Sequence, residues 1–250
     1  MAVFESKLDK KSDAYAKNRA DQLEKLAHLR GLEQRAVDAS ERRRPRFEER
    51  GQLTPRDRLA RLLDPGMPFL TLYNMASYCV DDPNRDTSVP GGSVLAGIGY
   101  VSGVRVMIVV DDSGINAGAA TEMGFRKSLE VMRVALKNKL PFIHLVESAG
   151  ANLMTYKVEL WAHGGSVFYM LAKLSAAGVP TLTVLHGPST AGGAYMPGMS
   201  DYNVGVKHNG MAALGGAALV QAATGEVADE RKLGGTEMHA AVTGLSLIHI

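Results

Sequence analysis

The chain has 250 residues, 46% of them apolar and 22% charged, a formal net charge of +2 and one cysteine, Cys79. That length and balance suit one large soluble domain, or one domain with an extension, and no apolar run is long enough to cross a bilayer. A charge this near zero gives no ground for nucleic acid or an anionic membrane as partner, and a single cysteine excludes an internal disulfide, which points to a reducing cytoplasm or organelle matrix.

The first residues, MAVFESKLDKKSD, mix acidic and basic groups and lack the apolar stretch of a secretion signal. Residues 1–63 read as a helical arm, with Leu23, Leu26, Leu29 and Leu32 at helical spacing among charged neighbours. Within the arm, Arg42, Arg43, Arg44 and Arg46 flank Pro45. Each guanidinium could hold a phosphate of a nucleic acid. With Glu41, Glu48 and Glu49 alongside and no interleaved aromatics, they read better as a solvated or subunit-facing surface. Thr54-Pro55-Arg56-Asp57 is a helix start, with Thr54 as cap, Pro55 at the first position and Asp57 completing a variant capping box; the helix should stop before Asp64-Pro65-Gly66.

From Gly91 apolar strands alternate with glycine-rich turns. Val94–Val101 and Val104–Val110 around Ser102-Gly103 predict a two-residue hairpin. Phe125, Leu129, Met132 and Leu136 form one face of a helix over 121–139, and a buried strand follows over 142–146. Leu160, Trp161, Val167, Phe168, Leu171 and Leu174 mark a second long helix, followed by a strand over 181–186. Strand, turn and helix in repetition imply a layered α/β core; spacing alone leaves a ββα spiral and a doubly wound sheet equally open.

Two turns directly follow buried strands, one at 147–152 and one at 187–195. In the second, Gly192 and Gly193 precede a helical Ala194-Tyr195-Met196, so their amides should point out of a helix start and favour negative charge. If that charge develops during reaction they form an oxyanion hole, one donor of which is worth about 3 to 4 kcal/mol in the transition state. Paired glycines also simply permit a tight turn. Gly187-Pro188-Ser189-Thr190-Ala191 nearly matches a serine nucleophile elbow but lacks its last glycine. His144 and His186 fall inside strands, where satisfied core histidines are the usual case. Neither a zinc-binding pattern nor a phosphate-binding glycine motif is present, and Gly91-Gly92 and Gly215-Gly216 read as turns. What is left is a site of backbone amides without an obvious acid or base, suited to an oxyanion whose proton another participant moves.

On LTPRDRLARLLDPG at 53–66, ESAGANL at 147–153, GPSTAGGAYMPGMSD at 187–201 and ALGGAALVQAATGEVADERKLGGTEMHAAVTG at 213–244, the sequence resembles the carboxyltransferase β subunits of biotin-dependent acyl-CoA carboxylases, in the methylcrotonyl-, geranyl- and propionyl-CoA group. The resemblance implies an α/β, ClpP/crotonase-like ββα spiral over 64–250 behind the arm, forming the N-terminal half of such a subunit. It implies that the Gly192 and Gly193 amides hold the thioester oxygen as it becomes an enolate. Ala149 and Gly150 match the first turn lining the same acyl-CoA pocket, with Ala191 and Ala194 beside them, and Lys127 stands where it could meet a CoA phosphate. It further implies that carbon dioxide leaves carboxybiotin, that the α-proton goes to the biotin ureido anion, and that the enolate attacks carbon dioxide. Biotin, held by a biotin carboxylase or carrier partner, is the implied cofactor, no metal is needed, and the family forms hexamers.

Two features depart from that pattern: a second, related domain that supplies the biotin side is absent, and the tail Leu245–Ile250 does not continue the family's polar segment and reads as a truncation or an assembly artefact. Two other readings stand beside it. An enoyl-CoA hydratase or isomerase would share the oxyanion hole and need a carboxylate, for which Glu147 is nearest. A non-catalytic CoA-binding or assembly fragment would use the arm and apolar faces for docking.

Overall fold

The computed structural model describes residues 5–150, 157–245 and 248–249. Helix α1 (Asp13–Glu41) begins where Ser12 Oγ accepts from the Tyr15 N–H. Its leucines divide: Leu32 is buried, whereas Leu23, Leu26 and Leu29 are exposed. Only the C-terminal end of α1 meets the body, where Ser40 Oγ donates to the buried Asp112 carboxylate at 2.6 Å. A Cβ at Gly114 would stand 2.6 Å from that hydroxyl, so the absence of a side chain there permits the approach.

Helix α2 (Arg44–Glu49) and helix α3 (Pro55–Leu62) continue the chain. Thr54 caps α3 by accepting from the Asp57 N–H at 3.2 Å, as its sequence predicts. Leu59 is buried, and with Leu62 and Leu63 it packs on Val106, Ile108, Val110, Ile143 and Leu145.

The strands are β1 (Leu70–Thr71), β2 (Val94–Val101), β3 (Val104–Asp111), β4 (Phe142–Ser148), β5 (Thr181–Thr190), β6 (Tyr202–Gly205), β7 (Met211–Ala213) and β8 (Ile248–His249). They form one mixed sheet in the order β1-β2-β3-β4-β5-β6-β8, with β7 pairing the far end of β5. The β2–β3 hairpin turns on Ser102 and Gly103 at φ 51° and 77°, the left-handed pair that a two-residue turn demands. Asp64 accepts from both of those amides at 2.7 Å and ties the turn to the end of α3.

Beyond β3 the pairing becomes parallel, and helices cross over between strands. Helix α4 (Glu122–Asn138) starts at Thr121 and ends with Lys139 in the left-handed conformation; helix α5 (Val158–Ala176) follows β4. Val131, Met132, Ala135, Val167, Leu171 and Leu174 from these helices pack on Met107, Val109 and Phe142. Residues of β3 alternate between this cluster and the one under α3, which is why β3 and β4 read as unbroken apolar runs.

The elements form an α/β fold, a mixed sheet with helices crossing over between its parallel strands. One detail departs from the sequence reading, because β4 extends through Ser148 and β5 through Thr190, past the points where glycine and serine content predicts turns. A register shift after Val146 brings Ser148 opposite Ser189, and Pro188, Ser189 and Thr190 pair with β7. Tertiary pairing thus overrides local propensity here. After a short 3-10 turn at Ala191–Ala194 come helix α6 (Tyr195–Gly198) and helix α7 (Ala217–Thr224), the latter with no buried residue.

Candidate functional site

Since β4 and β5 are parallel neighbours, the two glycine-rich turns emerge side by side. Gly193 is buried, and a Cβ there would stand 2.8 Å from Ser189 Oγ and 3.2 Å from Ser148 Cβ. Gly150, at φ +83°, would place a Cβ 3.4 Å from the Thr190 carbonyl and 3.7 Å from Ala191 Cβ. The structure therefore brings Gly150, Ala191 and Gly193 together, with Ala149 exposed beside them. Ala151, Asn152 and Leu153 of the first turn lie outside the described residues.

Ala191 is itself left-handed, at φ 51°, a conformation costing a β-carbon roughly 1 to 2 kcal/mol. Its N–H donates to the Leu214 carbonyl at 3.1 Å, which holds the turn in place. Gly192 is half-buried, its nearest neighbour the Phe168 ring 3.6 Å from a notional Cβ; Phe168 stacks on Tyr195 with centroids 4.9 Å apart. Among the described residues, neither the Gly192 nor the Gly193 N–H donates to a group outside the turn. Ala194 is half-buried at the turn's end.

Beneath the turns is a polar cluster. Arg58 donates to Glu147 Oε2 at 2.8 Å and the Ser113 hydroxyl donates to the same oxygen at 2.7 Å, with both charged side chains only 10% exposed. Arg58 also lies over the Phe47 ring, 5.8 Å from its centroid. Gly187 passes so near that a Cβ would stand 2.7 Å from the Glu147 side chain. His186 Nδ1 is 3.7 Å from Glu147 Oε2, beyond hydrogen-bond reach. Neither of its ring nitrogens has a partner among the described residues. Burial, with Arg58 and His144 adding repulsion, pushes its pKa well below the ordinary histidine value, so it sits there as neutral imidazole.

The expectation of satisfied core histidines therefore fails at His186, because Arg58 and Ser113 hold the carboxylate that could have served it. His144 is satisfied on one side only, with Nε2 3.2 Å from Asp111 Oδ1. Ser189 is fully buried without a partner among the described residues, which disposes of an exposed serine nucleophile.

The loop before α4 braces the first turn. Asn116, Ala117 and Gly118 are all left-handed, at φ 50°, 53° and 70°. Ser148 Oγ donates to the Gly118 carbonyl at 3.1 Å, and the Ala120 N–H donates to the Gly150 carbonyl at 2.9 Å. A cavity of about 180 Å³ opens over this region, lined by Arg43, Arg46, Phe47 and Arg50 on one side and Glu147, Ser148 and Ala149 on the other. Gly192 and Gly193 are not in its lining.

Lys127 is elsewhere, and the expected phosphate contact needs correcting. The residue is buried, and its ammonium donates to the carbonyls of Gly91 at 3.2 Å and Val94 at 2.5 Å. It secures α4 to the start of β2 rather than facing solvent or ligand. Burial, helped by Arg56, pushes its pKa down to about 8. The unfolded chain then binds this proton more tightly than the folded one, so stability should rise with pH across the window from about 8 toward 10.5. Unfolding free energies from urea denaturation at pH 8 and pH 10 should differ by about 2 kcal/mol in the native chain and lose that difference in Lys127→Met. An equal pH dependence in both would contradict this account.

The family model described as carboxyl transferase domain matches residues 46–249. This chain belongs to the carboxyl transferase domain family. It is 41% identical over 245 residues to a probable biotin-dependent acyl-coenzyme A carboxylase beta2 subunit of Mycobacterium tuberculosis, covering 98% of this chain and 45% of the relative. It is 34% identical to a probable mitochondrial methylcrotonoyl-CoA carboxylase beta chain of Drosophila melanogaster, covering 98% of this chain and 42% of that one. Among solved structures, the beta subunit of P. aeruginosa geranyl-CoA carboxylase superposes with a TM-score of 0.89 at 42% identity, covering 99% of this chain and 45% of that one. A transcarboxylase 12S structure with methylmalonyl-coenzyme A bound gives 0.79 at 28% identity, covering 92% of this chain and 44% of that one. This carboxyl transferase domain thus spans about half the length of the relatives it matches. Among the described residues no helix is long and apolar enough to cross a membrane, and no group of three or more His, Cys, Asp or Glu could hold a metal ion.

Sequence reasoning missed two parts of the site, the Arg58–Glu147 pair and the left-handed run at 116–118, and it gave Arg43 and Arg46 as surface without placing them, with Arg50, over a cavity. Arg43, Arg46 and Arg50 stand at i, i+3 and i+7, a spacing that could have marked one helical face.

Proposed function

We propose that this chain supplies the acyl-CoA side of a biotin-dependent carboxyl transfer. Residues 64–250 act as the carboxyltransferase N-terminal domain, and residues 1–63 as an arm. The observation that carries the reading is the convergence of Gly150, Ala191 and Gly193 at the ends of β4 and β5 in a member of this family. The first amides of a 3-10 turn lack acceptors within it, and the Gly192 and Gly193 N–H groups hold the thioester oxygen as it becomes an enolate. Ala149, Gly150, Ala191 and Ala194 line the acyl-CoA there, small enough to let the thioester reach the backbone.

The donor set fits a base delivered from outside. Glu147 is engaged by Arg58 and Ser113, and His186 is buried. Biotin, borne by a partner subunit or domain, supplies the carboxyl group and a base when bound. The chain's own groups orient the thioester and hold negative charge on its oxygen. The complete enzyme is a cytoplasmic or organellar homo-oligomer with a biotin carboxylase or carrier partner, and this chain alone is inactive.

The test is complementation. Supplied with the biotin carrier and the second half that relatives carry, the chain should transfer labelled carboxyl from carboxybiotin to an acyl-CoA. Hydration of an enoyl-CoA that disappears in Glu147→Gln would replace this reading with a hydratase.

A further inference from the structure

Residues 230–243 supply nothing to the turns that end β4 and β5, yet they are packed on the strand that holds one of those turns. Strand β7 is three residues long, and along one flank it pairs with Pro188–Thr190. Leu214, the next residue, accepts the Ala191 N–H at 3.1 Å. Ala191 is left-handed, and a strained residue keeps its conformation only when its surroundings over-determine it. A three-residue strand with a single partner is a weak brace for such a turn. What holds the other flank of β7 therefore matters.

That flank is covered by a strap. Met211 forms an antiparallel bridge with Gly235. Thr236, fully buried, donates both its N–H and its hydroxyl to the Gly210 carbonyl at 3.0 Å. The strap lies so close that a Cβ at Gly234 would collide with the Ala212 carbonyl. His239 completes it: Nε2 is 2.8 Å from the Ala212 carbonyl oxygen, and Ala212 is the residue paired with Ser189. A carbonyl can only accept, so Nε2 carries the hydrogen. Nδ1 is 2.8 Å from Thr243 Oγ1. The turn His239–Thr243 is π-helical and is closed by the Gly244 N–H, which donates to the His239 carbonyl at 2.8 Å. Both ring nitrogens are thus occupied within the fold, which leaves none for a substrate.

We propose that His239 is a positioning residue for the carboxyl transfer, acting through β7. Its hydrogen bond to Ala212 fixes β7 against β5, β7 fixes Ala191 through Leu214, and Ala191 sets the direction of the Gly192 and Gly193 amides. The assignment rests on the proposed acyl-CoA reading and adds to it a residue that never meets the ligand. Donors fixed in advance act on charge as it develops, so loss of this brace falls on the enolate and spares ground-state binding.

The experiment is calorimetric titration of the full chain with a CoA nitronate, whose anionic oxygens imitate an enolate, and with a CoA thioether that lacks the carbonyl oxygen. The readout is the ratio of the two affinities in the native chain, His239→Ala, His239→Gln and Thr243→Val. Glutamine keeps an N–H donor at the reach of Nε2, whereas Thr243→Val leaves the imidazole without the hydroxyl that orients it. His239→Ala should lower the ratio about tenfold, the worth of one hydrogen bond passed on to the amides, with thioether affinity within about twofold of native. His239→Gln should return the ratio to within about threefold of native, and Thr243→Val should fall between the two. A native ratio in His239→Ala would overturn the inference and leave the amide assignment standing. Equal loss of both ligands would make the residue merely structural, and a glutamine variant as poor as alanine would show that the ring acts by some other means; either result overturns the inference. Should His239→Ala fail to fold, Thr243→Val decides, because a native ratio there would overturn it as well. A native chain that binds the nitronate no more tightly than the thioether would overturn the acyl-CoA reading together with this one.

Discussion

Gly193→Ala should weaken binding of a CoA nitronate, a stable mimic of a thioester enolate, by about 100-fold while leaving a CoA thioether that lacks the carbonyl oxygen unaffected. The cause is steric before it is electronic. A methyl group at 193 would lie 2.8 Å from Ser189 Oγ and 3.2 Å from Ser148 Cβ, both in the ends of packed strands, so the turn must move instead. Moving it re-aims the two N–H groups, and preorganised donors lose most of their value once their direction is wrong. Gly198→Ala is the matched control, because nothing lies within 4 Å of its notional Cβ. If Gly193→Ala retained nitronate affinity, or if both variants lost it alike, the amide assignment would be untenable.

Arg58→Ala should be the more damaging change for stability, lowering it by about 3 to 5 kcal/mol. Removing the guanidinium leaves the Glu147 carboxylate almost enclosed, with Ser113 as its one remaining hydrogen-bond donor among the described residues and a neutral His186 at 3.7 Å. The double variant Arg58→Met/Glu147→Gln removes both charges and should regain much of the loss, because a buried pair is costly to break but not costly to replace. A double-mutant cycle by urea denaturation should give a coupling above about 1.5 kcal/mol. A coupling near zero would mean the pair is no more than a surface contact. The same cluster bears on the hydratase alternative: a carboxylate engaged by arginine and serine is poorly placed to act as a general base.

Much of the fold was legible because its elements obey local rules. Thr54, Thr121 and the Ser102-Gly103 pair each do what their chemistry predicts, and the apolar faces of α4 and α5 bury the expected Met132, Leu171 and Leu174. Local rules failed where partners distant in sequence decide. Ser148 and Pro188–Thr190 are strand because β5 and β7 pair with them, and no propensity reports that. Leu23, Leu26 and Leu29 have the spacing of a buried stripe, yet the body of the protein does not reach them.

The candidate site divides in the same way. Glycine pairs announce a close backbone approach, so both turns could be found from the sequence. The resemblance sets Lys127 where it could meet a CoA phosphate, and only its two carbonyl acceptors reveal an internal tether. The Arg58–Glu147 contact links residues 89 apart in the chain, beyond any spacing argument.

Strand β5 is hydrogen-bonded on both flanks, to β4 along one side and to β6 and then β7 along the other. By contrast, the segment from Ser113 to Ala120 is stitched mostly by bonds to its own near neighbours. Amide protons on β5 should therefore exchange only through global unfolding, whereas those of the 113–120 segment can exchange through a small local opening. One bank of the cleft is thereby anchored to the most cooperative part of the molecule, while the other is able to breathe, and a bulky ligand could enter from the breathing side without disturbing the anchored one.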